Sequence, residues 1–198
     1  MTVSAVSALG SNPLWYTTRS AGVIAFVLLT LAFAFGLAAT KRALASRFWP
    51  RFATQELHRN LSLLALGFLL VHIVTTLADS YVHVGWWSWV LPGASGYRTF
   101  WVALGTIAFD LVVVLIVTSL LRHRMAARLW RGIHYCAYAA WPLAFLHFLK
   151  TGTDAAHGRW GLYLDVICLL ALGGAFAARW GTSDHPVGPV RSLRSRTR

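Results

Sequence analysis

Five uninterrupted apolar stretches, each about as long as a membrane-spanning helix, constrain this chain more than any other feature of its sequence. A helix needs about 20 mostly apolar residues to cross the hydrocarbon core of a bilayer. Stretches of that length occupy residues 21–40, 57–78, 100–121, 131–149 and 160–178. We therefore predict an all-α membrane protein built as a bundle of five transmembrane helices.

The composition favours a membrane over an aqueous environment. Of the 198 residues, 57% are hydrophobic and only 12% are charged, whereas a soluble domain carries about 25% charged residues. A chain this apolar is not intrinsically disordered, and two cysteines are too few for a disulfide-linked secreted scaffold. The net charge of +12 would suggest nucleic acid in a soluble protein, but the positive residues cluster between the apolar stretches. We therefore expect membrane lipid, and no nucleic acid, as a partner.

The distribution of positive charge predicts which side of the membrane each loop faces. Fourteen of the 18 Lys and Arg residues fall in the loops after the first and third stretches, at the adjoining helix ends and in the C-terminal tail. Positively charged loops stay in the cytoplasm, which predicts an external N-terminus and a cytoplasmic C-terminus. Lys41 and Arg42 follow the first stretch and only Arg19 precedes it, so we interpret it as a retained helix rather than a signal peptide.

The chain divides into a membrane part and a short polar tail. We expect residues 1–180 to form one membrane domain and residues 181–198 a basic, disordered cytoplasmic tail. Trp and Tyr concentrate at the headgroup level, so we expect the aromatic external connection between the second and third stretches to lie along the membrane interface. Its aromatic residues are Tyr81, Trp86, Trp87, Trp89, Tyr97 and Trp101. The whole pattern favours a multi-pass protein of a bacterial plasma membrane.

Four histidines inside the apolar stretches are the candidate functional residues. An ionisable side chain is costly within a membrane, so each of them needs a partner or a task. His58 and His72 are 14 residues apart in the second stretch, and His134 and His147 are 13 apart in the fourth. At 1.5 Å per residue both separations are about 20 Å. The predicted topology makes these two helices parallel, so one histidine from each meets at a cytoplasmic level and one at an external level.

This two-level arrangement suits two haems stacked across the bilayer, each with its iron held by two neutral imidazoles. Fourteen helical residues return to within about 40° of the starting direction, but thirteen end about 140° away. We expect Pro142 to change the winding of the fourth helix enough to correct this difference. Gly67 and four alanines of the fourth stretch are expected to leave room for the macrocycles.

Arginines near both levels are candidate partners for the anionic haem propionates. Arg59 and Arg131 neighbour the cytoplasmic-level histidines, and Arg19 and Arg98 lie on the external side. A guanidinium group binds a carboxylate with two parallel hydrogen bonds. The positive-inside rule alone would also place Arg59 and Arg131 in the cytoplasm, so a purely topological role stays open for them.

The histidine motifs resemble the ferric reductase-like transmembrane superfamily, which includes ferric reductases, NADPH oxidases and the haem-bearing membrane subunit of a bacterial methionine sulfoxide reductase. The resemblance rests on Glu-Leu-His-Arg-Asn at 56–60 with Val-His at 71–72, and on Trp-Arg-Gly-Ile-His-Tyr at 130–135 with Leu-His at 146–147. It covers about residues 15–178. It implies two b-type haems and electron transfer across the membrane to an extracytoplasmic acceptor. Only about 20 residues follow the last stretch, so we expect a separate flavoprotein or other electron donor.

Three interpretations therefore stand. The first is a transmembrane cytochrome b, an oxidoreductase component of ferric-reductase type or the haem subunit of a complex such as methionine sulfoxide reductase. The second is a proton or ion conductor that uses Asp110, Asp165 and the histidines as a relay, because intramembrane acids are candidate functional groups. The third is a scaffold subunit with structural histidines.

Overall fold

The computed structural model describes residues 13–39, 51–79, 84–151 and 160–181, and those residues form helices and connections without a β-strand. The predicted tail, apart from Gly181, lies outside the described residues, as does Tyr81. The α-helices are α1 (Pro13–Ala39), α2 (Arg51–Ala78), α3 (Thr99–Leu120), α4 (Ala127–His134), α5 (Ala137–Thr151) and α6 (Trp160–Gly181).

Four of these helices, α1, α2, α3 and α6, are long and apolar enough to cross a membrane. They coincide with the first, second, third and fifth predicted stretches. Large apolar side chains such as Val74 and Leu170 are exposed on them, which suits contact with lipid rather than water. The chain therefore has the architecture of an all-helical, multi-pass membrane protein.

The fourth predicted span differs from the expectation because two helices share it. Helix α4 has 8 residues and α5 has 15, so neither is long enough to cross a bilayer alone. At their junction the Cys136 amide donates to the Ile133 carbonyl at 2.9 Å, and the Tyr138 amide donates to the Tyr135 carbonyl at 3.0 Å. These i→i+3 hydrogen bonds belong to a tight 3₁₀ turn. Single helices thus account for four spans, not the predicted five.

The same junction supplies a change of winding between His134 and His147. A 3₁₀ turn advances each residue by about 120° instead of about 100°. Three or four residues in that geometry turn the chain by a further 60–80° or so, which brings the two histidines closer to one face. The sequence predicted this change at Pro142, but the i→i+3 hydrogen bonds lie before it, and Pro142 itself is inside α5.

Helix α1 is the central element of the described bundle. It packs along α2 and also contacts α5 and α6, while α3 packs along α5. The apolar core joins Phe26 of α1, Trp141 of α5, and Cys168 and Leu172 of α6. Among the described residues, α2 and α5 do not pack closely against each other. Helix α2, which carries His72, and helix α5, which carries His147, therefore face each other across a gap. Helix α1 packs against α2, and α3 packs against α5.

The connection between α2 and α3, which is predicted to be external, covers one end of this gap. A short 3₁₀ helix at Trp86–Trp89 exposes 68% of Trp86 and 65% of Trp87. The connection is attached to α3 because the Thr106 hydroxyl donates to the Ser88 carbonyl at 2.5 Å. Its expected position at the membrane interface stays a prediction.

Candidate functional site

The four intramembrane histidines come together in two pairs. The ring centres of His58 and His134 are 6.3 Å apart with an interplanar angle of 72°, and those of His72 and His147 are 6.4 Å apart at 80°. The pairs occur in the same order along α2 and along α4–α5, so these two elements run in the same direction. This juxtaposition is the one that the spacings of 14 and 13 residues predict.

Three of the four rings donate a hydrogen bond from Nδ1 to a backbone carbonyl oxygen. The bonds measure 2.7–2.8 Å and join His58 to Ala32, His72 to Thr18 and His147 to Trp101. A carbonyl oxygen only accepts, so Nδ1 carries the proton in each ring and Nε2 keeps its lone pair. A neutral imidazole in that tautomer is prepared to bind a metal ion through Nε2.

His134 has a different environment from the other three histidines. Its ring stacks on Trp130 with centres 4.9 Å apart and an interplanar angle of 27°. Its Nδ1 is buried and has no hydrogen-bond partner among the described residues, and the same holds for Nε1 of Trp130. The orientation of this ring therefore depends on stacking rather than on a hydrogen bond.

The separation within each pair fits two axial ligands of one metal ion. Imidazoles bound on opposite sides of a metal, with bonds of about 2 Å, have ring centres about 6 Å apart. Among the described residues no group of three or more His, Cys, Asp or Glu side chains gathers around a common point. A metal ion held by either pair needs further ligands from elsewhere, and a haem supplies four porphyrin nitrogens while leaving two axial positions open.

A cavity of about 300 Å³ lies beside His72 and His147, the pair that is predicted to lie at the external level. Its lining includes His72, His147, Arg19 and the glycines Gly22 and Gly105. A Cβ atom at Gly22 would lie 2.8 Å from Nδ1 of His72, and one at Gly105 would lie 2.5 Å from Nδ1 of His147. Any larger residue at these two positions would displace the imidazoles, so the absence of side chains there forms part of the site.

The two arginines that are predicted for the external side, Arg19 and Arg98, contact different groups. The guanidinium carbon of Arg19 lies 4.2 Å from the centre of the Trp15 ring, and Arg19 lines the cavity. Arg98 is exposed, and its Nη1 donates a hydrogen bond to the Lys150 carbonyl oxygen. Arg19 is thus the better placed of the two for a group in the cavity, whereas Arg98 connects the start of α3 to the end of α5.

The two arginines that are predicted for the cytoplasmic side, Arg59 and Arg131, are exposed. Arg59 lies 3.9 Å from a carboxylate oxygen of Glu56 one turn earlier in α2, a surface pair of small energetic value. Arg131 lies in the last turn of α4, next to the His58–His134 level. Contact of either with a haem propionate stays a prediction.

Glycines on α1 and α3, the helices that pack against α2 and α5, are site residues that the sequence patterns did not predict. Gly22 and Gly36 of α1 contact His72 and His58, and Gly105 of α3 contacts His147. The expected Gly67 is not one of them, because a Cβ there would meet nothing within 4 Å. It follows His58 by nine residues, which puts it on the opposite face of α2. One signal was available: Gly22 and Gly36 are 14 residues apart, the spacing of His58 and His72.

The two intramembrane acids occupy different environments. Asp165 is only 2% exposed, and neither carboxyl oxygen has a hydrogen-bond partner among the described residues. It shares a face of α6 with Cys168 and Leu172, which pack in the apolar core. Asp110 of α3 is half-buried. Cys168 is buried and Cys136 is half-buried, and neither forms a disulfide bond.

Comparison with known proteins decides the family. Over residues 21–145 the chain matches the family described as the ferric reductase like transmembrane component. The chain belongs to this family. The matched region contains His58, His72 and His134 and ends two residues before His147. Searches of curated proteins and of solved structures found no match.

Membership of the ferric reductase-like family agrees with the resemblance of the histidine motifs. The family is one of transmembrane electron-transfer modules and is generally haem-binding. Together with the apolar helices it identifies the chain as a multi-pass membrane protein. The paired imidazoles and the spaces left by glycine are the features of this chain that fit such a cofactor.

Proposed function

We propose that this protein is a transmembrane cytochrome b with two haems, one between His58 and His134 and one between His72 and His147. The observation that carries the proposal is the double pairing of imidazoles at 6.3 and 6.4 Å in the same order along two parallel elements. Haem iron supplies reversible one-electron transfer when bound. The proposed activity moves electrons from a donor on the cytoplasmic side to an extracytoplasmic acceptor, as the family suggests.

The protein's own residues bind and orient the proposed cofactor. The carbonyls of Thr18, Ala32 and Trp101 hold three imidazoles with Nε2 available for iron. Apolar helices exclude water from the site, which favours electron transfer over side reactions. For Arg19, Arg59, Arg98 and Arg131 we propose the role of propionate partners, which is best supported for Arg19 because it lines the cavity with His72 and His147.

We further propose that α4 and α5 together make the fifth crossing of a bacterial plasma membrane. His134 pairs with His58 and His147 pairs with His72, so the two short helices extend over the same depth as α2. The excess of positive charge in the loops after α1 and α3 supports an external N-terminus. The electron donor would be a separate flavoprotein or other cytoplasmic-side protein.

The test is a spectrum and a count of bound haem. Full-length protein purified from haem-replete cells should give a b-type absorption spectrum that sharpens on dithionite reduction. Pyridine haemochrome assay should give two haems per chain. A folded, monodisperse protein without bound haem would overturn the proposal.

The alternatives are distinguished by the same preparation. A haem subunit of a complex such as methionine sulfoxide reductase would have the same haem site, and its copurifying partner would identify it. A proton or ion conductor is favoured by one observation, the buried carboxyl of Asp165 without a hydrogen-bond partner among the described residues. That function requires a colourless, folded protein whose proton flux in liposomes is lost in Asp165→Asn.

A further inference from the structure

A small structural unit occurs three times around the histidines. Each unit consists of a helix carbonyl that accepts a hydrogen bond from histidine Nδ1 and a glycine four residues later that contacts the same ring. The units are Thr18 and Gly22 at His72, Ala32 and Gly36 at His58, and Trp101 and Gly105 at His147. Two occur on α1 and one on α3, the helices that back the histidine-bearing elements.

Helix geometry explains the offset of four residues. The carbonyl of residue i accepts the amide of residue i+4 within the helix, and its second lone pair is available to a side chain from outside. A Cβ at i+4 points back toward the N-terminus and covers that lone pair. The gaps are tight: a Cβ would lie 2.5 Å from the nearest ring atom at Gly105, 2.8 Å at Gly22 and 3.1 Å at Gly36. An imidazole can therefore reach a helical carbonyl most easily where residue i+4 is glycine.

Among the described residues, the fourth histidine, His134, has no such unit. An equivalent unit for His134 would lie 13 or 14 residues further along α3 than the unit of His147. Its carbonyl would come from Val114 or Leu115, and its glycine position is occupied by Thr118 or Ser119. The hydroxyl of Thr118 already donates to the carbonyls of Val114 and Leu115, at 2.6 and 3.2 Å. Nδ1 of His134 is correspondingly buried without a hydrogen-bond partner among the described residues.

We propose that Gly22, Gly36 and Gly105 are positioning residues that fix His72, His58 and His147 in the Nδ1-protonated tautomer, and that the missing fourth unit makes the two haem sites unequal. This inference rests on the proposed haem-binding function. The external site has two imidazoles fixed by carbonyls, and the cytoplasmic site has one. The cytoplasmic-level haem is therefore the more weakly held, by about ten- to a hundredfold, the usual effect of losing an outer hydrogen bond to a metal ligand.

The first experiment reads the tautomers directly. Full-length protein labelled with ¹⁵N-histidine is measured by solid-state NMR after dithionite reduction, since low-spin ferrous haem is diamagnetic. Gly105→Ala should remove one Nδ1-protonated ring from the spectrum and about half of the bound haem. Gly67→Ala is the matched control, because a Cβ there meets nothing within 4 Å, and it should change neither quantity. Gly36→Ala needs only a small shift of His58, so it keeps the test open if Gly105→Ala does not fold.

The outcomes separate this inference from the proposed function. The tautomer count is measurable whether or not haem is bound. A colourless protein that shows the three fixed rings and loses one in Gly105→Ala contradicts the cytochrome proposal, and with it the inequality of the haem sites, but supports the positioning role of the glycines. An unchanged tautomer pattern in folded Gly105→Ala and Gly36→Ala would overturn the positioning role, and so would an equal effect of Gly67→Ala.

The second experiment tests the inequality of the two sites. Haem transfer from the protein to excess apomyoglobin should be biphasic, with one haem lost about ten to a hundred times faster than the other. His134→Ala should abolish the fast phase, and His147→Ala should abolish the slow one. Transfer in a single phase, or loss of the fast phase in His147→Ala, would overturn the inequality.

Discussion

Three of the four paired histidines are held in place through one ring nitrogen. Nδ1 of His58, His72 and His147 donates to a helix carbonyl, which satisfies one polar atom inside the apolar bundle. The same hydrogen bond leaves Nε2 as the remaining acceptor of each ring. A histidine that only stabilised the fold would need partners for both nitrogens, so this division of roles favours metal binding.

At the scale of the residue, substitution of one histidine should affect one site. His72→Ala removes one ring of the external pair and leaves the pair of His58 and His134 untouched, so the bound haem should fall by about half. Pyridine haemochrome assay of the purified variant measures this. His123→Ala, at an exposed position outside both pairs, is the control and should retain both haems. Loss of both haems, or of neither, in His72→Ala would contradict the two-level arrangement.

At the scale of the element, α1 holds the bundle together although it contributes no histidine. It supplies two of the three carbonyls that orient the histidines and packs against α2, α5 and α6. A buried hydrogen bond of 2.9 Å connects it to α5: Nε1 of Trp141 donates to the hydroxyl of Thr30.

This connection predicts a measurable loss of stability. Thr30→Val keeps the shape of the side chain but leaves Nε1 of Trp141 buried and unpaired, which should cost about 1–2 kcal/mol. Unfolding of the detergent-solubilised protein by SDS or urea measures the change. Thr118→Val is the matched control, because that hydroxyl donates only to carbonyls of its own helix. An equal loss of stability in Thr118→Val would show that the hydrogen bond between α1 and α5 adds no stability of its own.

The 3₁₀ junction between α4 and α5 sets the rotation of His147 relative to His134. An alanine inserted between Leu143 and Ala144 should turn His147 by about 100° and move it by about 1.5 Å. We expect the external haem to be lost and the cytoplasmic one kept, as measured by haem content and by the reduced spectrum. An alanine inserted between Gly93 and Ala94, in the external connection, should leave both haems bound. If the variant with the insertion in α5 still bound two haems, the rotation of His147 relative to His134 would not matter for haem binding, and the prediction would be wrong.

At the scale of the whole molecule, charge should decide orientation. Since the loops after α1 and α3, the adjoining helix ends and the tail together hold 14 of the 18 positive residues, alkaline phosphatase fused after Gly93 should be active in a bacterial host. The same enzyme fused after Arg198 should be inactive, and a fluorescent protein at that position should fold and fluoresce. The reverse pattern would require an N-terminus in the cytoplasm and would exchange the two haem levels.

Much of this architecture could be predicted because it depends on local or periodic features. The lengths of four apolar stretches predict four long helices, since a helix satisfies its own backbone groups and needs only an apolar surface to lie in lipid. The spacing of His58 with His72, and of His134 with His147, predicts two levels because helical rise is constant along a chain. The match over residues 21–145 confirms the family that the histidine motifs resemble.

The remaining features depend on contacts between helices, which no spacing within one stretch reveals. The junction at Tyr135 and Cys136 divides the fourth span, and the glycines that admit the imidazoles lie on α1 and α3 rather than beside the histidines. Likewise only packing shows that His134 has no hydrogen-bond partner for Nδ1 among the described residues. By itself, the sequence determined the four long helices and the spacing of the histidines along the chain, because rise and hydropathy are properties of a single segment. Tertiary structure alone decided which carbonyl each ring can reach, because that depends on the distance between two helices.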